Sequence, residues 1–358
     1  MLITYGWSDA LQRDFAPFAA QGLSPARVVL QQRGRYGLVT EAGEIAGAPS
    51  GRLQHEAGPG ALPVAGDWLA VQPPRGDGLA VIRHVLPRRT EFVRKAAGTG
   101  EAPQVVAANI GVAFLVIGLD DNFNLRRLER YLAAAWESGA RPVVVLTKAD
   151  ACEDLARRLA ETERVALGVD VLPVSALTGD GMAAVRARLS PGETAVLIGM
   201  SGVGKSTLVN RLLGEERLAV GAVRETDGRG KHTTTHRELV LLPGGGLILD
   251  TPGMRELAFW DPSGGVSSTF SEIEALAEQC RFRDCRHETE PGCAVRAARE
   301  AGELGDDRWR GYVKLQRELD HLDRKEDPVA REAWRRRWIH VAKANRKRSR
   351  GRGVEAEE

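Results

Sequence analysis

The apolar positions of this chain change rhythm along its length. Between residues 26 and 93 they come in short runs. Arg27–Gln31, Gly37–Thr40, Asp67–Gln72 and Leu79–Leu86 are rich in β-formers, and Gly- or Pro-containing stretches at 47–51, 58–66 and 73–78 predict turns between them. Short strands packed this closely predict a small closed β-barrel of OB-like form, an architecture that often holds oligonucleotides. A barrel that only packs against its neighbour is the alternative. From 104 to 260 apolar strands alternate with helical stretches: Val112–Ile117 with Leu125–Glu137, Pro142–Leu146 with Glu153–Leu167, Asp170–Val174 with Gly181–Leu189, and Thr194–Ile198 with Lys205–Leu213. Continuous Val/Ile/Leu runs between helices mark strands covered on both faces, hence a mainly parallel α/β sheet. From 268 onward the pattern is helical and charged, with Trp309–Asp323 placing Leu315, Leu319 and Leu322 at helical spacing.

Composition agrees with several folded domains. A chain of 358 residues, 43% apolar and 27% charged, exceeds one ordinary domain and is neither disordered nor fibrous. Fifty Lys and Arg against 48 Asp and Glu give a net charge of +2, but residues 331–352 hold ten of the basic residues and one acid. The remaining 40 basic and 47 acidic residues leave −7. An acidic body with a basic end points to a nucleic-acid partner. Trp334 and Trp338 interleave the basic run, which includes Arg335, Arg336, Arg337, Lys343 and Arg346, so charge and stacking faces occur together as RNA binding needs. A solvated charge run is the alternative. The N-terminus lacks a signal-peptide pattern, and the longest apolar run, Val112–Leu119, falls far short of the ~18 residues of a membrane span. A soluble, cytoplasmic protein with no membrane partner is expected.

The strongest chemical signal is Gly199-Met200-Ser201-Gly202-Val203-Gly204-Lys205-Ser206, followed by Thr207. It fits GxxxxGK[ST], follows a predicted strand and opens a predicted helix, as a phosphate loop requires. The glycines let backbone N–H groups turn toward phosphate oxygens, the helix N-terminus adds its positive end, Lys205 reaches the β- and γ-phosphates, and Ser206 can ligate Mg²⁺. Two loops bear on the base. Thr147-Lys148-Ala149-Asp150 follows the Pro142–Leu146 strand. Asp150 can accept hydrogen bonds from the N1–H and exocyclic amine of guanine, a pair adenine lacks, with Lys148 lying along the ring. Ser175-Ala176-Leu177 follows the next strand and can place a backbone N–H near the guanine carbonyl. Asp250-Thr251-Pro252-Gly253 ends another strand: Asp250 can hold Mg²⁺ through water, and the Gly253 N–H can meet the γ-phosphate. Between them, Gly228–His236 carries a Thr run whose hydroxyl can complete the Mg²⁺ shell. Thr234 is favoured, although Thr233 and Thr235 are also candidates.

The base-reading motifs precede the phosphate loop, the reverse of the usual GTPase order, so the domain reads as circularly permuted. Three guanine-nucleotide elements still fall at strand C-termini, where open α/β sheets bind ligands.

Cys280-x4-Cys285-x-His287-x5-Cys293 offers three thiolates and one imidazole, a closed tetrahedral set for one structural Zn²⁺. Arg281, Arg283 and Arg286 interleave these ligands and would favour thiolate; buried free thiols are the alternative. Cys152 stands apart at the start of a predicted helix and reads as an ordinary thiol.

Taken together, Asn122-Phe123-Asn124-Leu125-x-x-Leu128-x-Arg130-Tyr131-Leu132, the GMSGVGKST loop, Lys231–Thr235 (KHTTT), Asp250–Glu256 (DTPGMRE) and the Cys/His cluster resemble the circularly permuted GTPases that assist maturation of the bacterial small ribosomal subunit, the small ribosomal subunit biogenesis GTPase A family. The resemblance covers essentially the whole chain. Thr147 departs from it, because guanine-reading motifs usually carry Asn there. The resemblance implies GTP hydrolysis to GDP and phosphate, stimulation by the small (30S) subunit, and contact with its rRNA. It also implies a catalytic His232: Met254 follows Gly253 and cannot orient an attacking water, and an imidazole can. An exposed loop histidine is the alternative.

The expected architecture is an N-terminal extension over 1–25, the barrel over 26–98, the permuted GTPase domain over 99–265, and an α-helical zinc-binding domain with a basic tail over 266–358, as a monomer. Two rival functions remain at this level: a GTP-switched RNA-binding module whose hydrolysis is incidental, and a DNA-linked P-loop ATPase, against which Asp150 argues.

Overall fold

The computed structural model describes the chain except residues 33, 57–59, 75, 77, 96–102, 217–236, 251–262 and 327–358, and gives no account of the side chains at 94, 95, 103, 250, 263, 264 and 320–326. The expected roles of His232, Thr234 and Gly253, of the Asp250 side chain, and of the basic tail therefore lie outside the described residues. Two compact units divide at Ala275 and Leu276.

The first unit begins with a 3-10 turn (Leu2–Tyr5) and helix α1 (Asp9–Ala19), capped by Ser8, whose hydroxyl accepts from Leu11 N. Strands β1 (Ser24–Gln32), β2 (Arg35–Thr40), β3 (Gly43–Pro49), β4 (Trp68–Gln72) and β5 (Ala80–Val85) follow, with helix α2 (Gly51–Glu56) between β3 and β4. Their order is β1-β2-β3-β5-β4, and β4 pairs back onto β1, closing a five-stranded barrel. β3 and α2 occupy the segment where a turn at 47–51 was expected. Gly43–Pro49 carries one β-branched residue, so side-chain type does not reveal a strand. Backbone pairing makes it one: Gly47 faces Tyr36 on one side and Ala80 on the other. A Cβ at Gly47 would stand 2.5 Å from the end of the Leu38 side chain, so any larger residue there would have to displace that leucine within the barrel core. Leu2, Leu11 and Phe15 pack with Val39, Trp68 and Leu86 beneath the barrel.

A two-stranded ribbon, β6 (Glu91–Lys95) and β7 (Pro103–Ala108), leads into the nucleotide sheet. Its strands are β8 (Val112–Gly118), β9 (Arg141–Thr147), β10 (Asp170–Pro173), β11 (Thr194–Ile198), β12 (Arg237–Leu241) and β13 (Leu247–Asp250). Their spatial order is β10-β9-β8-β11-β13-β12, parallel except for β12. Alternate residues of β8 go to opposite faces, as the two-residue period of a strand demands. Ala113, Leu115 and Ile117 meet Leu128 and Leu132 of helix α3 (Leu125–Glu137) in one core. Val112, Phe114 and Val116 join Val185 and Leu208 in the other. Those two belong to helices α5 (Met182–Ala187) and α6 (Lys205–Leu213).

Helix α4 (Leu155–Glu163) is shorter than the 153–167 expected. Asp154 caps it by accepting from Arg157 N at 3.2 Å, which fixes its start. Cys152 consequently sits in the preceding loop, half-buried, and not on a helix. Helix α7 (Ser263–Thr269) packs on α3 so closely that a Cβ at Gly265 would overlap the Ala133 carbonyl.

Barrel and nucleotide sheet are continuous. β1 pairs with β12 at Leu30↔Glu238 and Gln31↔Arg237, giving one 11-stranded sheet. Arg27 of β1, fully buried, strengthens this junction. It lies over the Trp68 ring at 5.1 Å, donates to the Thr194 hydroxyl at 2.7 Å, and reaches the carbonyls of Tyr5, Gly66 and Asn109. Burial pulls its pKa down to about 10, against the opposing pull of Asp67, so the group stays charged at neutral pH.

The second unit contains α9 (Ala294–Glu300) and α10 (Asp306–Glu326), and helix α8 (Ser271–Ala277) runs across the dividing point. Asp306 and Asp307 lie in the first turn of α10, where acids complement the helix dipole. No helix among the described residues is long and apolar enough to cross a membrane.

Candidate functional site

The loops that follow β9, β10 and β11 meet at the C-terminal edge of the parallel sheet. Gly199 leaves β11 against β8, and a Cβ there would stand 2.5 Å from the Val116 carbonyl oxygen. Gly204 is left-handed at φ 92° and precedes α6 with no side chain to cap it, so the first N–H groups of α6 remain directed into the loop. Lys205 folds back over this loop: its Nζ donates to the Gly199 carbonyl at 2.6 Å and to that of Met200. Ser206 and Thr207 occupy the same first turn, half-buried, while Val203 is buried and Ser201 and Gly202 face solvent.

Thr147, at the end of β9, is 2% exposed. Its hydroxyl donates to the Val203 carbonyl at 2.6 Å, with Ile117 O at 3.3 Å. The residue that departs from the usual Asn therefore reaches the phosphate loop. Lys148 adopts a left-handed backbone, φ 62°, and its Nζ donates to the Gly202 carbonyl at 3.0 Å. Two consecutive side chains of the base-reading loop thus hold two consecutive carbonyls of the phosphate loop. Asp150 lies in the 3-10 turn Ala149–Ala151 and is exposed. Ala149 N donates to Val174 O at 3.1 Å, joining this turn to the loop after β10. There Ser175 is buried and accepts from Thr178 N, whereas Leu177 is 80% exposed. An exposed carboxylate on one of these joined loops and an exposed apolar side chain on the other can receive the edge and face of a purine. A lysine over a glycine-lined turn can receive its phosphates.

Asp120, two residues beyond β8, also enters this cluster. It pairs with Lys148 Nζ and accepts from Asn122 N at 2.9 Å. Sequence reasoning did not select it, and its position just after the longest apolar strand was the available signal. β13 ends at Asp250, whose backbone pairs opposite Glu238.

In the second unit, Cys280, Cys285, His287 and Cys293 bring their ligand atoms within 4.8 Å of one another. A tetrahedral zinc site with ordinary bond lengths requires S···S near ~3.8 Å and S···N near ~3.5 Å. Cys280 Sγ lies 3.9 Å from Cys293 Sγ, and His287 Nδ1 lies 3.5 and 3.4 Å from these two sulfurs. The donor set fits one metal ion. His287 adopts φ 61°, and its ring meets the Trp309 edge at 5.8 Å. Cys293 also caps α9 by accepting from Arg296 N. The thiols do not titrate alike. Burial, then the neighbouring sulfurs, push Cys285 up to about 11. Cys280 falls below the usual thiol range because the Val295 and Ala294 N–H groups outweigh its burial.

Comparison with known proteins places this geometry in a family. The chain is 48% identical over 98% of its length, and 99% of the relative's, to the small ribosomal subunit biogenesis GTPase RsgA of Opitutus terrae. It belongs to the RsgA family of GTPases. The RsgA GTPase family model matches residues 85–260, which carry the base-reading and phosphate loops. Among solved structures, YjeQ from Thermotoga maritima matches with TM-score 0.64 at 27% identity, covering 83% of this chain and 98% of that one. YloQ, described as a circularly permuted GTPase, matches with TM-score 0.62 over 84% of this chain and 96% of that one, at 24% identity. This RsgA-family chain is a GTP hydrolase with a permuted α/β nucleotide domain, an OB-like barrel and a Cys3His cluster.

Proposed function

We propose that this GTPase acts in late maturation of the small ribosomal subunit: it binds that subunit through rRNA, is stimulated by it, and leaves after hydrolysis. The reading rests on one observation above others: the tied base-reading and phosphate loops occur in a chain similar, end to end, to a protein named for small-subunit biogenesis. The barrel (26–98) and the basic end of the helical region (266–358) supply the RNA contacts. The permuted domain (99–265) binds and cleaves the nucleotide, and residues 1–25 brace the barrel. The protein works as a monomer in the cytoplasm.

Asp150 reads the guanine edge, Ser175 to Leu177 cover the base, and Gly199 to Thr207 hold the phosphates. Mg²⁺, held by Ser206, Thr234 and Asp250, would neutralise charge developing on the phosphates. Lys205 supplies a second cation there, Gly253 meets the γ-phosphate, and His232 orients the attacking water. The ion in the Cys3His cluster is one Zn²⁺ with a structural role, since four protein donors leave no open position.

Multiple-turnover GTP hydrolysis with and without purified small subunits tests the reading. Turnover is expected to rise at least about tenfold, about 1.4 kcal/mol of barrier. A flat response would favour a GTP-switched RNA-binding module instead. Base recognition has its own test. In Asp150→Asn one acceptor becomes an amide donor, which suits the N1–H and C2 carbonyl of xanthine. GTP affinity should fall about 10- to 100-fold while xanthosine triphosphate binding improves. An Asp150→Asn variant that still prefers GTP in competition would remove Asp150 from base reading.

A further inference from the structure

Asp120 is the one carboxylate among the described residues that touches the base-reading lysine, and the motif reading gives it no role. Its Oδ2 accepts from Lys148 Nζ, and its Oδ1 accepts from Asn122 N at 2.9 Å, closing a local turn. The same Lys148 Nζ donates to the Gly202 carbonyl at 3.0 Å. The ammonium is therefore held from two sides, by a carboxylate after β8 and by a carbonyl of the phosphate loop after β11. Both side chains are about one-third exposed, Lys148 at 38% and Asp120 at 33%. Burial raises the Asp120 pKa, but the bonds from Lys148 and Asn122 outweigh it and hold the carboxyl below its usual range. It is ionised at neutral pH.

A lysine stem has four rotatable bonds, so holding it in one conformation costs rotamer entropy. Left to solvent, it would have to be ordered when nucleotide arrives. We propose that Asp120 is a positioning residue for guanine-nucleotide binding: it fixes the Lys148 ammonium against Gly202, so that the lysine stem is already laid out along the purine face and the phosphate loop is already tied to the base-reading loop. The inference rests on the reading of Lys148 as a purine-facing residue. Asp120 lies next to nucleotide-binding groups without meeting the reacting atoms, so it changes how readily nucleotide is held, for GTP and GDP alike.

Asp120→Asn separates this role from a purely structural one. The amide oxygen still accepts from Asn122 N and keeps the turn, whereas the charge facing Lys148 is lost. The Kd for GDP and for a non-hydrolysable GTP analogue, and the KM for GTP, should each rise about tenfold, with the loss of kcat/KM carried by KM. On a Lys148→Met background the same substitution should add nothing, since its effect passes through that lysine. Asp120→Asn binding both nucleotides like the wild type overturns the proposal, as does an additive effect with Lys148→Met. Wild-type protein that fails to prefer GTP over ATP would instead count against the base-reading assignment itself, so the two failures are distinguishable.

Discussion

Lys205→Ala is expected to abolish measurable GTP turnover, a loss of at least about a thousandfold or about 4 kcal/mol. The glycines of the phosphate loop bring N–H groups and the α6 N-terminus toward one point, and such partial charges select an anion without matching the charge of a triphosphate. Lys205 supplies the full cation. Its ammonium rests on the carbonyls of Gly199 and Met200, at the mouth of the same loop. A bound phosphate is a better partner for an ammonium than a neutral carbonyl, and Lys205 stands close enough to the loop to follow that charge. Removing it takes away stabilisation that grows as negative charge gathers on the leaving and transferred oxygens. Lys205→Arg should not rescue, because a planar guanidinium cannot occupy a site shaped around a compact ammonium. Single-turnover hydrolysis, with nucleotide affinity measured separately, checks both. A Lys205→Ala rate within threefold of wild type would refute the role. Melting should barely change, since the side chain is half-buried and lies at the surface of the sheet edge.

Much of this site is legible in the sequence. The phosphate loop announces itself because its function constrains backbone geometry: a φ of 92° at 204 strongly favours glycine, and the approach to the Val116 carbonyl at 199 leaves no room for a Cβ. Helix α3 was readable to its ends because Asn124 caps it by accepting from Arg127 N. Features built by long-range pairing were not readable. β3 lacks the residues that advertise a strand, and the β1–β12 rungs join positions 30 and 238, whose side chains carry no mark of that partnership. Asp120 escaped for a related reason. A lone acid after a strand is usually solvated, and only the fold brings Lys148 to it. Thr147 stands out in the sequence only as a departure from the usual Asn, whereas its hydroxyl reaches Val203, a contact that spacing alone does not disclose.

Removing the metal from the Cys3His cluster should unfold much of the second unit while leaving the nucleotide sheet intact. The described part of that unit has little apolar core of its own: Val295, Ala298, Leu304, Leu315 and Leu319 are its main buried side chains besides Cys293. Small modules of this kind draw stability from a bound ion, with structural zinc worth on the order of 10–16 kcal/mol. The four donors come from a loop and a helix start. Arg281 N bonds Gly292 O at 3.1 Å, and Cys293 caps α9. Chelation should therefore accelerate amide exchange through 276–319 by several orders of magnitude, with α6 and β11 unchanged. Cys293→Ala should do the same, losing the ligand and the helix cap together. Cys293→Ser keeps a capping oxygen, so α9 should retain part of its protection although the metal is lost. Cys152→Ala, half-buried in the first unit, should leave both metal content and this exchange pattern unaltered. Elemental analysis of the purified protein should return one zinc per chain. Exchange that does not respond to a strong chelator, in protein verified to have lost its metal, would mean that the cluster does not hold the unit together.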